Sequence, residues 1–339
     1  SSYGTQTVSY KLSSASSFST VDSSLVRKTS NGYRVDIPGL KGNTAYTIKV
    51  GDTTFTATPK AFLREGYAFV NGKTTGGYES DGTVASGTKI LYVTNSTKDS
   101  ITCDVTKSGK TATYTGLGNI MNARQSAKST DKLIVRFIGT VGKPSGVDSN
   151  SLMNIKTNSN VTFEGIGSDA LLSGWGINVR GSSNVEIRNL GFKDFPDDSV
   201  SIQVDNDHVW VHNCDFLIGA NGGGDKSKGD GSCDIKDDST YVTISFNHFH
   251  NTGKSSLCGM KSETAGVGFV TYHHNWFDAS GSRHPRVRTY TVHVYNNYFD
   301  HVYSAGLAAT TGSSIFVENN YFEDVNIPML TASQGHSIK

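Results

Sequence analysis

The sequence has little net charge and no long apolar segment. Its 339 residues include 31 Lys and Arg against 30 Asp and Glu, for a formal net charge of +1. This balance provides no general basic field for nucleic acid, so any anion binding has to come from a local patch. No apolar run approaches the roughly 18–20 residues of a transmembrane helix. We therefore predict a soluble protein, a monomer without nucleic-acid or membrane partners.

Cysteine is also scarce. The four cysteines are Cys103, Cys214, Cys233 and Cys258, and no two have the CxxC spacing of a structural zinc site. Spacing does not reveal whether any of them pair, and buried thiols are the default expectation. The first residues, SSYGTQ, lack the basic start and apolar middle of a signal peptide. We expect a secreted protein whose leader has been removed.

Helical periodicity is nearly absent, and a strand repeat takes its place. The pattern apolar-x-apolar-x-x-x-x-Phe occurs six times in the second half, at spacings of 22 to 33 residues. The copies begin at Val185, Val209, Val242, Val270, Val292 and Ile315, and a degenerate copy begins at Val161. Each opens with alternating β-branched or aromatic residues, which indicates a strand. Short strands at this period predict an all-β fold, a right-handed parallel β-helix whose stacked coils bury each other's apolar side.

Asparagines recur within this repeat. Asn247, Asn275, Asn297 and Asn320 fall at the same place in the last four copies. At the spacing of stacked strands, their amides could hydrogen-bond from coil to coil as a ladder. The alternative is that each is an independent turn residue.

Acidic residues gather around the widest gap in the repeat. Asp230 and Asp234 are four residues apart, so they share one face if a strand begins there, and Lys236 follows two residues later. Asp198 precedes the Val209 copy and could stack near them. Grouped carboxylate oxygens suit calcium, which takes six to eight oxygen ligands. Ordinary surface-loop chemistry is the alternative for any such pair.

Two further clusters have more than one interpretation. The stretch SGSRHPRVR holds Arg283, Arg286 and Arg288, which alone would indicate a solvated basic face. His248 and His250 in NHFH would share a strand face, as zinc ligands do, but no third ligand with convincing spacing follows. Packed or hydrogen-bonding histidines are therefore favoured over zinc.

Together these motifs carry a family resemblance. VWVHNCDF, CDIKDDSTYVTISFNHF, GKSSLCG, VTYHHNWF, SRHPRVR, VHVYNNYF and the upstream LIVRFIGTV resemble the pectate lyases of polysaccharide lyase family one, over about residues 110–325. The resemblance implies calcium-binding acids at Asp198, Asp230 and Asp234. It also implies a catalytic arginine at Arg283, a second essential arginine at Arg288, and a substrate-binding lysine, Lys254, that takes part in catalysis. One departure is the stretch 210–213, which reads Trp-Val-His-Asn where the family has Trp-x-Asp-His.

The activity implied by this resemblance is β-elimination of polygalacturonate with Ca²⁺ as cofactor. Three alternatives stay open. A β-helix hydrolase would need paired carboxylates as acid and base, and neither Arg283 nor calcium. A lyase for methylated pectin should dispense with the calcium acids. A non-catalytic carbohydrate-binding β-helix has no reason to set Lys254, Arg283 and Arg288 opposite three acids.

The N-terminal region reads differently from the repeat. Residues 1–60 contain short strand patterns, and Leu40 lies six residues before Tyr46. This spacing resembles the tyrosine corner of fibronectin type III modules. We predict that residues 1–60 form a small β-sandwich-like module that is similar to fibronectin type III and incomplete. Residues 61–110 should form a connecting segment, and 111–339 the lyase domain. We also expect the natural chain to continue past Lys339, because an open last coil leaves unpaired strand edges.

Overall fold

The structure is a computed structural model that describes residues 7–72, 76–260, 268–333 and 336–337. Its contacts divide the chain into two compact units. Unit 1 consists of the described part of Ser1–Arg64 together with Tyr78–Ser86. Unit 2 consists of the described parts of Glu65–Gly77 and Gly87–Lys339.

Unit 1 is a small antiparallel β module. Its strands are β1 (Val8–Leu12), β2 (Ser19–Thr20), β3 (Val26–Thr29), β4 (Gly32–Val35), β5 (Tyr46–Val50) and β6 (Thr53–Ala57). They form a four-stranded sheet in the order β2-β1-β5-β6 and a separate β3-β4 hairpin. The Tyr46 hydroxyl accepts a hydrogen bond from the backbone N–H of Lys41 at 2.9 Å, the type of contact a tyrosine corner makes. This contact does not establish a fibronectin type III module, and that identity stays a prediction.

Unit 2 contains the repeat, and each repeated motif forms strands. The strands of its first part are β7 (Lys89–Val93), β8 (Thr102–Lys107), β9 (Lys110–Thr115), β10 (Leu133–Gly142), β11 (Leu152–Lys156), β12 (Val161–Ser173), β13 (Gly176–Arg180), β14 (Ser183–Arg188), β15 (Gly191–Lys193), β16 (Val200–Gln203), β17 (Asp207–His212) and β18 (Asp215–Phe216). The later strands are β19 (Cys233–Ile235), β20 (Thr240–Ser245), β21 (His248–His250), β22 (Leu257–Cys258), β23 (Phe269–His273), β24 (Trp276–Asp278), β25 (Arg286–Val287), β26 (Thr291–Tyr295), β27 (Tyr298–Asp300), β28 (Ala305–Ala309), β29 (Ser314–Glu318), β30 (Tyr321–Glu323), β31 (Ile327–Ser333) and β32 (His336–Ser337).

These strands stack in parallel, as the repeat predicts. Among the described residues, one 15-stranded sheet joins two stacks through the long strand β12. Stack A runs through β14, β17, β20, β23, β26 and β29, and stack B runs through β15, β18, β21, β24, β27 and β30. A separate nine-stranded sheet is stack C, with the order β11-β13-β16-β19-β22-β25-β28-β31-β32. Each coil contributes one strand to each stack, which confirms the parallel β-helix.

The phenylalanine that ends each repeat forms a ladder inside the β-helix. Rings of consecutive coils stack with centroids 4.6–5.4 Å apart. The members are Phe192, Phe216, Phe249, Phe277, Phe299 and Phe322, and all but the last are completely buried. Offset stacking of rings at this spacing is favourable beyond the area buried.

The asparagine ladder is confirmed. The Nδ2 of Asn247 donates to Oδ1 of Asn275 at 3.0 Å, and Asn275 donates in the same way to Asn297 at 2.9 Å. Asn297 continues the series to Asn320 at 2.9 Å. The register of the repeat therefore places like residues in contact along the whole series.

One α-helix, α1 (Leu117–Ala127), precedes the repeat. Leu117, Ile120 and Met121 are its buried apolar residues and belong to the same core as the β-helix. The helix packs against β8 and against β11, which is the first strand of stack C. It ends at Lys128, which has a left-handed backbone and whose N–H bonds the carbonyls of Arg124 and Gln125. The sequence did not predict this helix.

No helix in the described residues has the length and apolarity needed to cross a membrane. All four cysteines are free thiols and are buried, as expected. Burial raises the pKa of the Cys214 thiol to about 12.

Candidate active site

The predicted site residues lie where the chain passes from stack B to stack C. Asp198 precedes β16, Asp230 precedes β19, Lys254 precedes β22 and Arg283 precedes β25. Because these strands are consecutive neighbours in stack C, the four approach segments lie side by side. Backbone contacts join them directly, since Asp230 N–H donates to the carbonyl of Asp197 and a parallel bridge pairs Lys254 with Ser282.

Three carboxylates form the centre of this surface. Oxygens of Asp197, Asp198 and Asp230 all lie within 4.8 Å of one another. Asp198 is only 4% exposed, and its Oδ1 accepts the N–H of Gly231 at 3.0 Å. Burial, and after it the charge of Asp198, raises the pKa of Asp197. Burial is the main cause of this shift, and Lys226, whose Nζ lies 3.6 Å from Oδ1 of Asp197, opposes it.

Asp234 adjoins this group through Lys236. The Nζ of Lys236 lies 2.6 Å from Oδ2 of Asp198 and 3.3 Å from Oδ2 of Asp234. The other oxygen of Asp234 accepts the N–H of Leu257 at 2.8 Å. Burial and the charge of Asp198 raise the pKa of Asp234 to about 6 despite its cationic neighbours. Burial alone would lower the pKa of Lys236, but the charges of Asp234 and Asp198 outweigh burial and raise it.

Asp230 is the most strongly paired of the acids. Its oxygens lie 2.8 Å from Nζ of Lys254 and 2.7 Å from Nζ of Lys226. Burial alone would raise the pKa of Asp230, but hydrogen bonds from the two lysines lower it to about 2. Lys254 also contacts Asp225 at 3.0 Å. The carboxylate of Asp230 is therefore ionised at any pH near neutrality.

The three arginines of SRHPRVR lie before, within and directly after β25. Arg283 is partly exposed and has a left-handed backbone with φ of 65°, a conformation uncommon outside glycine, asparagine and aspartate. Its carbonyl accepts the N–H of Ser256 at 2.7 Å, so its segment lies against the one that carries Lys254. Arg288 is 8% exposed, and its Nη1 donates to the carbonyl of Gly259 at 3.2 Å. Burial and the charge of Arg283 lower the pKa of Arg286.

The structure thus places on neighbouring segments residues that lie up to 85 positions apart, from Asp198 to Arg283. Sequence reasoning missed Asp197 as a member of the carboxylate group and Lys226 as a partner of Asp230. A signal for Asp197 was present, because it is adjacent to Asp198 in the stretch PDD. Lys226 stands in the long insertion, four residues before Asp230, where no repeat register indicates which way its side chain points.

The donor set fits a hard divalent cation. Asp197, Asp198, Asp230 and Asp234 offer carboxylate oxygens, the ligands that Ca²⁺ prefers. Burial is the main cause of the raised pKa values of Asp197 and Asp234, and a cation bound beside them would favour their ionised forms. The described residues of this group include no sulfur or imidazole ligand that would favour a softer metal.

The chain is similar to known proteins over most of its length. Residues 53–336 match a family model described as pectate lyase. A pectate trisaccharide-lyase of Bacillus licheniformis is 29% identical over 257 residues, covering 75% of this chain and 66% of the relative. A protein of Aspergillus fumigatus named as a probable pectate lyase A is 37% identical over 180 residues, covering 51% and 55%. The chain thus spans less than two thirds of the length of these relatives.

Among solved structures, similarity extends to a ligand complex. The pectate lyase of Bacillus sp. N165 in complex with trigalacturonate superposes with a TM-score of 0.61 at 27% identity. The match covers 77% of this chain and 76% of that one.

Proposed function

The chain belongs to the pectate lyase family, and from this premise we propose that it is a secreted, calcium-dependent pectate lyase. It would cleave α-1,4-linked polygalacturonate by β-elimination and release 4,5-unsaturated oligogalacturonides. One observation carries the proposal. Asp197, Asp198, Asp230 and Lys254 converge on the segments that enter stack C, and Arg283 lies on the next such segment. Asp234 adjoins the acids through Lys236. A solvated basic face or isolated surface acids would not require that convergence.

The reaction requires removal of a very weakly acidic proton, the one on carbon 5 next to the sugar carboxylate. The electron pair left on carbon 5 forms the C4–C5 double bond, and the bond from carbon 4 to the glycosidic oxygen breaks. The leaving oxygen then takes up a proton. Negative charge develops toward the carboxylate in this step, so fixed positive charges beside that group stabilise the transition state.

Calcium, held by Asp198, Asp230 and Asp234 with Asp197 adjacent, would bind the sugar carboxylate and withdraw charge from it. The residues of the chain do the rest. Lys254 and Arg288 would bind carboxylate oxygens of the polymer, and the planar guanidinium of Arg288 suits a bidentate contact. Lys254 is held at Asp230 by a 2.8 Å contact, which positions its ammonium beside the metal ligands.

Arg283 is the proposed base. Guanidinium is a poor base in water because it stays protonated. Cations nearby and removal of water both favour the neutral form of such a group. Both conditions apply to Arg283. Arg286 and Arg288 follow it within five residues, and a bound polymer would exclude water from its partly exposed side chain.

The test is an assay of ultraviolet-absorbing product. Full-length chain is incubated with polygalacturonate or with highly methylated pectin, each with Ca²⁺ and with a chelator. We expect absorbing product from polygalacturonate with Ca²⁺, and little from either substrate in chelator. Asp234→Asn, which removes one anionic oxygen without changing volume, should lose most activity and bind Ca²⁺ more weakly while keeping its fold.

Each alternative gives a different result. New reducing ends without absorbance would mean hydrolysis, and calcium-independent product from methylated pectin would mean a pectin lyase. Binding of either polymer without any cleavage would mean a carbohydrate-binding β-helix.

A further inference from the structure

A second cluster of metal-binding residue types lies on the outer face of stack B. It comprises His248 and His250 of β21 and Asp278 of β24. Strand geometry puts His248 and His250 on the same face, since they are two residues apart. The parallel register pairs His250 directly with Asp278. The third ligand that no sequence spacing supplied therefore comes from the next coil.

The three donor atoms converge. Nε2 of His248 lies 3.0 Å and Nδ1 of His250 lies 2.9 Å from the same oxygen, Oδ2 of Asp278. All three atoms lie within 4.8 Å of one another. This convergence is what the binding of a single ion by all three side chains requires.

Neighbouring side chains orient one of these ligands. The Trp276 indole stacks on the His248 ring with centroids 4.2 Å apart and planes 7° from parallel. Oδ1 of Asp215, in the preceding coil, lies 3.7 Å from Nδ1 of His248. This distance is too long for a hydrogen bond. The stacked indole of Trp276 is therefore the contact that orients the His248 ring.

Solvent reaches the cluster. The His250 side chain is 50% exposed and that of His248 29%, while Asp278 at 18% forms the floor. A metal can thus enter without rearrangement of the strands, and water can take the remaining coordination position. Three protein ligands with an open position is a common zinc arrangement.

We propose that His248, His250 and Asp278 form a binding site for a divalent transition metal of the zinc class. Two imidazoles with one carboxylate suit Zn²⁺, Ni²⁺ or Cu²⁺, whereas Ca²⁺ prefers oxygen alone. This site is separate from the carboxylates of the candidate active site, and it does not depend on the proposed lyase activity. The plain alternative is a hydrogen-bonded triad that binds no metal.

The position of the site gives the metal a structural role. It ties β21 to β24, and these two strands lead into the segments that carry Lys254 and Arg283. A ligand that binds only the folded state stabilises it according to its concentration relative to Kd. Zinc should therefore raise the melting temperature of the chain.

The test uses calorimetric titration of the metal-stripped full chain with Zn²⁺, in excess Ca²⁺ to occupy the oxygen ligands. We expect saturable binding of one Zn²⁺. Loss of a direct ligand should weaken the affinity at least about tenfold, the lower end of the effect seen for residues behind a ligand. His250→Ala and Asp278→Asn, two independent variants, should both show this loss. The matched control is His293→Ala, which removes a partly exposed histidine that contacts a single carboxylate, Glu318, at 2.9 Å.

Fluorescence provides a local readout. The chain has three tryptophans, and Trp175 and Trp210 are completely buried whereas Trp276 is 40% exposed. Cu²⁺ bound beside the ring that stacks on Trp276 should quench its emission. The quenching should disappear in His250→Ala and in Trp276→Phe. Absence of saturable Zn²⁺ binding, or binding that both ligand variants retain, would overturn the proposal.

Discussion

The interior of the β-helix and the candidate active site use the same stacking of coils with opposite results. In the interior, each coil supplies the same residue, so Phe249 contacts Phe277 and Asn247 contacts Asn275. At the candidate active site each coil supplies a different residue, so an acid of one coil contacts a lysine of the next. Parallel strands place equivalent positions about 4.8 Å apart in both regions. Repetition gives stability, and its interruption gives a site with diverse chemistry.

The outer face of stack B is a third case that follows the same rule. At the position of His250, successive coils place Asp278, Asp300 and Glu323. The change from histidine to carboxylate along this row creates the proposed metal site. A uniform row of either residue would bring only like charges or like rings together.

The sharpest test of the candidate active site is Arg283→Lys, for which we expect the largest effect of all, a loss of turnover. Lysine keeps the positive charge, so a purely electrostatic role would largely survive. A base has to sit within hydrogen-bond distance of its proton, and the shorter reach of an ammonium loses this position. Turnover should fall roughly 10²–10⁴-fold, the contribution of a general base, while polygalacturonate and Ca²⁺ still bind. Steady-state kinetics with separate binding measurements checks this.

Arg288→Lys is the companion variant. Because Arg288 is proposed to hold carboxylate oxygens bidentately, its loss should weaken substrate affinity together with turnover. Near-normal turnover in Arg283→Lys would remove Arg283 from the role of base.

The interior is tested by Phe249→Ala, which should affect stability instead of chemistry. Phe249 is completely buried and stacks on Phe216 and Phe277 with centroids 4.7 and 4.8 Å away. A cavity of this kind costs about 3–5 kcal/mol of unfolding free energy. Denaturant unfolding measures the loss. The control is Phe316→Ala, because Phe316 is 61% exposed and its removal should change the midpoint little. Equal effects of the two variants would contradict the ladder as a source of stability.

The smallest of the three effects should come from Asn275→Ala. Oδ1 of Asn275 accepts from the backbone N–H and the amide of Asn247, and Nδ2 donates to the carbonyl of Ile244 and to Asn297. Removing one partner leaves buried polar groups unsatisfied, at a cost of about 1–3 kcal/mol. The same unfolding experiment measures this cost. Asn221→Ala, in an exposed loop where Oδ1 accepts from Gly223, is the control and should be nearly neutral. A neutral Asn275→Ala would show that the ladder sets register without adding stability.

Much of the fold could be predicted from the sequence, because the repeated coils of a solenoid produce a repeat in the sequence. The shared register of Val, Phe and Asn predicted the parallel strands, the phenylalanine positions and the amide contacts. Helix α1 escaped because its 11 residues carry few apolar positions, and a short amphipathic pattern outside the repeat has no second copy to support it. Tertiary packing on the first coil stabilises it.

Only part of the candidate site could be predicted from the sequence. The predicted residues, from the grouped acids and from motifs that resemble a family, are Asp198, Asp230, Asp234, Lys254, Arg283 and Arg288. The structure then groups Asp197 with the acids and gives Asp230 a second lysine, Lys226. These contacts depend on the path of an insertion, which no periodicity describes.

The sequence by itself determined which side chains point inward and which coil follows which, because alternation and repeat length are local properties of a strand. Only the tertiary structure decided which unlike residues meet. His250 and Asp278 are 28 positions apart, and each follows the phenylalanine of its repeat copy, so the repeat aligns them but does not show that their side chains touch. Parallel register makes them neighbours, and the lengths of the intervening turns fix that register. Whole coils vary from 22 to 33 residues in length, so distance along the sequence does not give the contacts between unlike residues, and the folded chain shows them.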